Sequence, residues 1–551
     1  MKKGILFILV LLASSLSFAQ GTIRVQYAGS SATVDIAPDV AGVTYTVNGA
    51  NVALTSATTT SEYTYIISGH ADDGSLLISG VYKMTLRLDG LSLTNSHGGA
   101  AIDIECGKRI AVELAEGTVN TLCDSPAGGQ KAALFFKGHP EFKGGGTLRV
   151  TGKAKHAICA KEYIELKPST GLISVLGAVS DGIHCGKGEI SPENNYFLMN
   201  GGTVDISGVG SDGIDADDYG AIRINGGALS INVGSAATAL KADSVVSISG
   251  GLVNLSVRGD DSEAVRARYA VDVSGGTLGI VVVGDGSKGI RSRRITEAST
   301  VLNGGLVSIS GGTTEIYVSG ARYDDGLGGT SSCAAISADA DFVMTNGSVD
   351  IVAMGKEASA CDVGGTDSRQ GGTLDVVRTP WQMDVFAFEH DMSVYYVVEE
   401  GGNRLPSLDG KAVGAFIGGE CVGYGIPLGS GLGMMRVRQN TTETAAVAFR
   451  VYDYGTSKEY EALADREVTF SPMACWGTPS SPVVLGYEPW LRGDVNADGD
   501  VNLVDLMMIV DHLLGISNAD FHFNNADLDC NGEVSLVDLM IEVDILLGKE
   551  E

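Results

Sequence analysis

The 551-residue sequence predicts a mainly β chain: a right-handed parallel β-helix, then a small β-sandwich, then a short α-helical module. Three observations predict it. A short phrase returns in variants between Ser180 and Ser310, as SDGIHCGK, SDGIDADD, ATALKADS, SEAVRARY and SKGIRSRR. The phrases lead to glycine pairs at 201–202, 226–227, 250–251, 275–276 and 304–305, whose intervals of 25, 24, 25 and 29 residues are those of a coil stacking on itself. The last sixty residues hold one acidic loop-and-helix unit twice, offset by 33 residues.

Taken in order, residues 1–19 carry Lys2 and Lys3, an apolar run from Ile5 to Leu12, and Ser17-Phe18-Ala19 before Gln20. This is the grammar of a cleaved export signal, so the chain is expected to be secreted. The run is too short for a membrane span, and no later stretch reads as one. Residues 20–61 are rich in strand formers but aperiodic, and are expected to supply first strands or a cap over an open sheet edge.

From 62 to 378 the phrases align in register. One column reads Ile158, Ile183, Ile214, Leu240, Val265, Ile290, all apolar. Two places on it reads Ala160, Cys185, Ala216, Ala242, Ala267, Ser292, small enough for an inward corner. Between them stand Cys159, His184, Asp215, Lys241, Arg266, Arg291, mostly polar, as the two-faced alternation of a strand requires. A second strand follows each glycine pair (Leu229, Ile231, Val233) and a third precedes it (Ile222, Ile224), giving three strands per coil. Twenty-five residues bury no core alone, so the coils must share one.

Arg378-Thr379-Pro380-Trp381 opens a different rhythm, and 379–488 reads as short alternating strands suited to an antiparallel sandwich. GAFIGGECVG, RVYDYGTSKEYEA and GTPSSPVVL there resemble a recurrent accessory β-module of secreted bacterial proteins. In 489–551, Asp494, Asn496 and Asp498 occupy positions 1, 3 and 5 of a loop, Gly499 turns it at 6, Asp500 offers its carbonyl at 7 and Asp505 stands at 12. Asp527, Asp529, Asn531, Gly532, Glu533 and Asp538 repeat the pattern, and amphipathic helices follow from Leu503 and Leu536. Two such loops in register point to Ca2+. The duplicated unit resembles a type I dockerin with two F-hand loops. That resemblance implies docking to a cohesin-bearing scaffold, with Leu503-Val504 and Leu536-Val537 at the partner-selecting positions; a calcium-locked terminal domain is the alternative.

A net charge of -29 excludes nucleic acid as a partner, because phosphate binding needs a basic field. Nine cysteines, an odd number with no CxxC pair, are expected mostly as small buried apolar residues.

Coils stack about 4.8 Å apart, so the columns become lines of neighbouring groups. Asp181, Asp212, Asp215, Asp217 and Asp218 gather on one side, where close carboxylates repel by about 1 kcal/mol per pair even in water. They call for a hard cation such as Ca2+; the alternative is that they cap turns. Lys241, Arg266, Arg268, Arg291 and Arg293 form a basic ladder beyond them. Guanidinium forks pair with carboxylates bidentately, so the ladder suits a linear acidic polysaccharide, with a solvated face of cross-coil ion pairs to Glu263 and Asp243 as the alternative.

The stretch from Glu62 to Val377, with LDGLSLTN, GTVNTL, KAALFFKG, GTLRVTG and SDGI in that order, resembles the secreted parallel β-helix carbohydrate-binding family of plant-biomass-degrading bacteria. That resemblance implies calcium and binding, not cleavage, of acidic pectin-type polymers. Two rivals remain. One is a calcium-dependent, pectate-lyase-like enzyme with Lys241 or an arginine as base, where Lys241 would need a depressed pKa that pairing with Asp243 opposes. The other is a structural or adhesive surface protein.

Overall fold

The computed structural model describes residues 21–186, 194–234, 236–297, 300–488, 491–529 and 531–549; the export-signal reading of 1–19 and Cys530 lie outside them. The chain divides into two compact units, with the boundary between Arg378 and Thr379.

In the first unit every short strand pairs in parallel with its counterpart one coil on. One ladder is 13 strands long. In it Ile158 pairs with Ile183, and the column continues through Ile214, Leu240, Val265 and Ile290, the register read from the sequence. It then runs on to Ile336 and Cys361. The other two ladders flank the glycine pairs, as in Ile222–Val246–Val271 and Leu229–Val253–Leu278. They merge at the long strand Met84–Thr94, which pairs with both.

Three ladders close around one interior, and Ile214, Leu240, Val265 and Ile290 are fully buried in it. Leu240→Ala is therefore expected to cost about 2–5 kcal/mol, measured as a lowered denaturation midpoint of the solenoid. The second glycine of each pair turns with positive φ, +90° at Gly227 and +85° at Gly251. A Cβ on Gly251 would also stand 2.8 Å from the Gly227 carbonyl of the coil below, so no other residue fits both the turn and the stack.

Residues 21–61 supply the first strands of the ladders. Antiparallel hairpins Thr22–Ala28/Ser31–Ile36 and Val43–Asn48/Asn51–Ser56 start the ladders and turn an antiparallel strand outward on each. The long interval after Ile290 is taken up by two antiparallel excursions, Arg294–Glu297 with Thr300–Gly304, and Tyr323–Asp324 with Thr330–Ser331.

In the second unit seven strands pair in the order His390–Glu400, Leu432–Gln439, Glu420–Gly429, Lys411–Ile417, Ala448–Asp453, Lys458–Ala464 and Val483–Tyr487. The last returns to the first in parallel, Tyr396 opposite Val483, so the hydrogen-bonded circuit is closed. An open antiparallel sandwich was expected; alternation has the same period in parallel and antiparallel strands, so nothing in it signals the closing pair.

The C-terminal module has helices α1 (Leu503–Leu513), α2 (Phe523–Ala526) and α3 (Leu536–Leu546). Asn502 with Asp505 and Ser535 with Asp538 form capping boxes that start α1 and α3. No helix among the described residues is long and apolar enough to cross a membrane. Of the eight described cysteines, Cys106, Cys159, Cys185 and Cys333 are buried.

Candidate functional site

The outer face of the 13-strand ladder carries a cleft of about 540 Å³. Lys241, Arg266 and Arg291 pair coil to coil along it, and Arg293 and the Tyr323–Ser331 excursion help to line it. Arg268 turns instead to Asp243, at 3.2 Å.

The cations differ in what already holds them. Lys241 donates to Asp212 (2.8 Å) and Asp215 (3.1 Å), not to Asp243 as expected, because Asp243 is taken by Arg268. Burial alone would lower its pKa, but the carboxylates of Asp215 and Asp212 outweigh it and keep the ammonium charged well above its ordinary range. Arg291 and Arg266 share Glu263, at 3.0 and 3.9 Å. Arg291 Nε is buried with no hydrogen-bond partner. Arg293 is held below the usual guanidinium range by burial and then by Arg291 and Arg266, with Glu263 and Asp339 acting the other way.

Lys288, three residues before Arg291 on the same strand and in register with Glu263, has another role. It is buried and donates to the carbonyls of Gly286 (2.9 Å) and Ser332 (2.8 Å) and to Ser331 Oγ (2.6 Å), which pins the excursion against the coil. Gly286 leaves room for it: a Cβ there would meet Tyr323 Cβ at 2.4 Å. Lys288→Met strands those acceptors, at a cost of about 1–3 kcal/mol, and is expected to speed proteolysis within 323–331 while the solenoid stays folded. The wall formed by Tyr323 went unread in the sequence, whose one signal was the lengthened interval.

On the acidic side, carboxylates of Asp181, Asp212 and Asp215 lie within 4.8 Å of one another, and Asp217 joins Asp215 and His184 in the same way. Asp218 stands apart as a turn residue: its φ is 55°, its N–H donates to Asp243 and its carbonyl accepts from Asn195. Two imidazoles enter the cluster. His156 and His184 each place Nδ1 3.0 Å from Asp181 Oδ2, with their rings stacked 4.4 Å apart. Burial would raise the Asp181 pKa, but the two histidines outweigh it and hold the carboxyl far below its usual range. His184 rises to about 9, since hydrogen bonds to Asp181 and Asp215 overcome burial. Asp212 and Asp217 are pushed up, chiefly by burial.

A third ladder is aromatic. His139 stacks on Tyr163 (4.5 Å), Tyr163 on Tyr196 (4.6 Å), and Arg223 lies over Tyr196. These rings spend their faces on one another, so they brace the coils and offer little platform to a sugar.

In the C-terminal module the loop carboxylates are organised by backbone N–H groups. Asp494 accepts from Asp498 (3.0 Å) and Gly499 (2.9 Å), and Asp505 from Asn496 (3.0 Å) and Asn502 (2.9 Å). Asp527 accepts from Asn531 (3.1 Å) and Gly532 (2.8 Å), and Asp538 from Leu528, Asp529 and Ser535. The N–H groups of Asp500 and Glu533 turn to Asp498 and Asn531. Asp527, Asp529 and Asp538 converge within 4.8 Å, an oxygen set that fits Ca2+. Leu503, Val504, Leu536 and Val537 are all more than half exposed, so both helices present the same apolar start to solvent.

The repeats differ at Glu542, which occupies the place of Ile509 and is equally buried. Neither carboxyl oxygen has a hydrogen-bond partner, and burial, then Asp505 and Asp494, push the pKa up to about 7. Glu542→Ile is expected to stabilise the calcium-free module by about 1–3 kcal/mol, read from its denaturation midpoint.

Residues 48–264 match a family described as carbohydrate-binding domain-containing protein, and residues 492–542 match the dockerin type I domain. No curated protein matches the chain. A solved structure described as the polysaccharide lyase-like protein from C. thermocellum, gadolinium derivative, is 18% identical. That match covers 65% of this chain and 97% of the other, with a TM-score of 0.26, too low to argue from. The chain thus combines a carbohydrate-binding-domain-like segment with a type I dockerin domain.

Proposed function

We propose that this chain is a secreted, non-catalytic carbohydrate-binding protein. The solenoid of residues 62–378, right-handed as parallel crossovers almost always are, holds an acidic polysaccharide of polygalacturonate type in its cleft. The dockerin of residues 489–551 takes Ca2+ in its two loops and docks to a cohesin on a scaffold or cell surface, with 379–488 as an accessory module between.

The observation that carries the glycan reading is the guanidinium cluster in the cleft, where Arg266 and Arg291 share the carboxylate of Glu263 and Arg293 stands beside them. Such donors are strongest toward ionised acceptors, and a polyuronate supplies one per sugar. Calcium in the dockerin is supported by two oxygen-rich loops in register, and cohesin docking by the paired apolar helix starts. A lyase with Lys241 as its base would need that amine neutral, whereas Lys241 is clamped in its charged form between two aspartates.

Native electrophoresis of the full chain in gels cast with polygalacturonate tests this reading. Retardation that weakens with added salt and is absent with fully methyl-esterified pectin is expected. Equal mobility in all gels would end the glycan reading, and a rise in unsaturated-uronide absorbance on incubation would favour the lyase.

A further inference from the structure

We infer that the buried cluster around Asp181 is a closed site for a borderline divalent transition ion of the zinc class, held by Nδ1 of His156 and His184 with the carboxylates of Asp181 and Asp215. This goes beyond the polysaccharide reading and stands without it. It also replaces the expectation of a hard calcium ion bound by aspartates alone.

Four observations converge. Histidine enters the two columns concerned at these coils alone: His156 is followed at its position by Asp181, Asp212, Thr238, Glu263 and Lys288, and His184 by Asp215, Lys241, Arg266 and Arg291. Two donor atoms are buried without a hydrogen-bond partner, His156 Nδ1 and Asp215 Oδ1, on residues 2% and 5% exposed. Although His156 Nδ1 lies 3.0 Å from Asp181 Oδ2, it lacks the alignment of a hydrogen bond. Carboxylates also crowd the cluster: those of Asp181, Asp212 and Asp215 lie within 4.8 Å of one another, with Lys241 Nζ on Asp212 and Asp215.

The fourth observation is the outer shell. His184 Nε2 faces Asp217 Oδ2 at 3.8 Å, the carboxylate–imidazole arrangement that fixes a metal-bound histidine. Calcium prefers six to eight oxygens. Two imidazole nitrogens with two carboxylates instead make the four-coordinate set of zinc-class ions. The rings are now stacked at 18°, and turning each about its soft Cβ–Cγ torsion aims both Nδ1 lone pairs at a shared ion. Metal there displaces the Nδ1 proton of His184. With every donor buried, the ion has no open position for substrate and staples three successive coils.

The test uses the untagged full-length protein, freed of transition metals and kept in millimolar Ca2+ so that the dockerin loops stay filled. Calorimetric titration with Zn2+ is expected to show one tight ion per chain that Ca2+ does not displace, and Co2+ to give the visible bands of a four-coordinate nitrogen–oxygen site. His156→Gln and His184→Gln should each weaken binding at least tenfold, while His139→Gln, in the aromatic ladder, leaves it unchanged. No tight Zn2+, tight Zn2+ that survives both variants, or displacement by Ca2+ overturns the inference. Should either variant fail to fold, the wild-type Co2+ protein decides by NMR: paramagnetically shifted signals from two histidine rings support the site, and their absence overturns it.

Discussion

Replacing Arg266, Arg291 and Arg293 together by alanine is expected to weaken binding to polygalacturonate at least a hundredfold, read as lost retardation in pectin gels. Hydrogen bonds to charged groups each contribute about 1.5–3 kcal/mol, and Arg266 and Arg291 share one carboxylate, Glu263, with Arg293 beside them in the cleft. Lys241→Ala should do much less to affinity, because its ammonium is already held by Asp212 and Asp215. Its removal instead leaves those two carboxylates without their cation and should show as lost solenoid stability. If the triple variant is retarded like wild type, the cleft is not the glycan site. If Lys241→Ala abolishes binding with the fold intact, the division of labour along the ladder is wrong.

Calcium removal, or Asp494→Ala with Asp527→Ala, is expected to strip hydrogen-exchange protection from α1 and α3 while leaving the solenoid strands protected. The module has only a small apolar core, with Val495, Met508, Ile509, Ala526 and Leu528 buried in it. Cores of that size do not hold a fold alone. Asp505 and Asp538 stand at position 12 of the loops and also close the capping boxes of α1 and α3, so the ion and the helix starts rest on the same carboxylates. Binding free energy in such a module is largely folding free energy. Unchanged protection of both helices in excess chelator would contradict this account.

The core of the solenoid was readable because one rule, alternation phased by glycine pairs, governs every coil; the column from Ile158 to Ile290 needed nothing else. Electrostatic partners obey no such period. Lys241 and Lys288, in two columns of the same ladder, show it: one meets Asp212 and Asp215 and the other three acceptors, two of them on or beside an excursion outside the repeat. Asp243 was assigned to Lys241 by proximity in sequence, whereas the stack hands it to Arg268 one coil later. His156 and His184 stand 28 positions apart in different columns, and only the diagonal between neighbouring coils brings them to one carboxylate. The dockerin repeat was readable for the opposite reason: its pattern is local to a twelve-residue loop.

The constant register from Leu240 to Val265 to Ile290 makes the molecule a ruler. Each coil pairs only with the one before and the one after, so a whole coil gained or lost by recombination within the repeats would leave every remaining pairing satisfied. Such an event would change the count of cationic rungs by one and little else. Under the proposed function, the length of polymer held would then be inherited as a number of repeats, adjustable without designing a new contact.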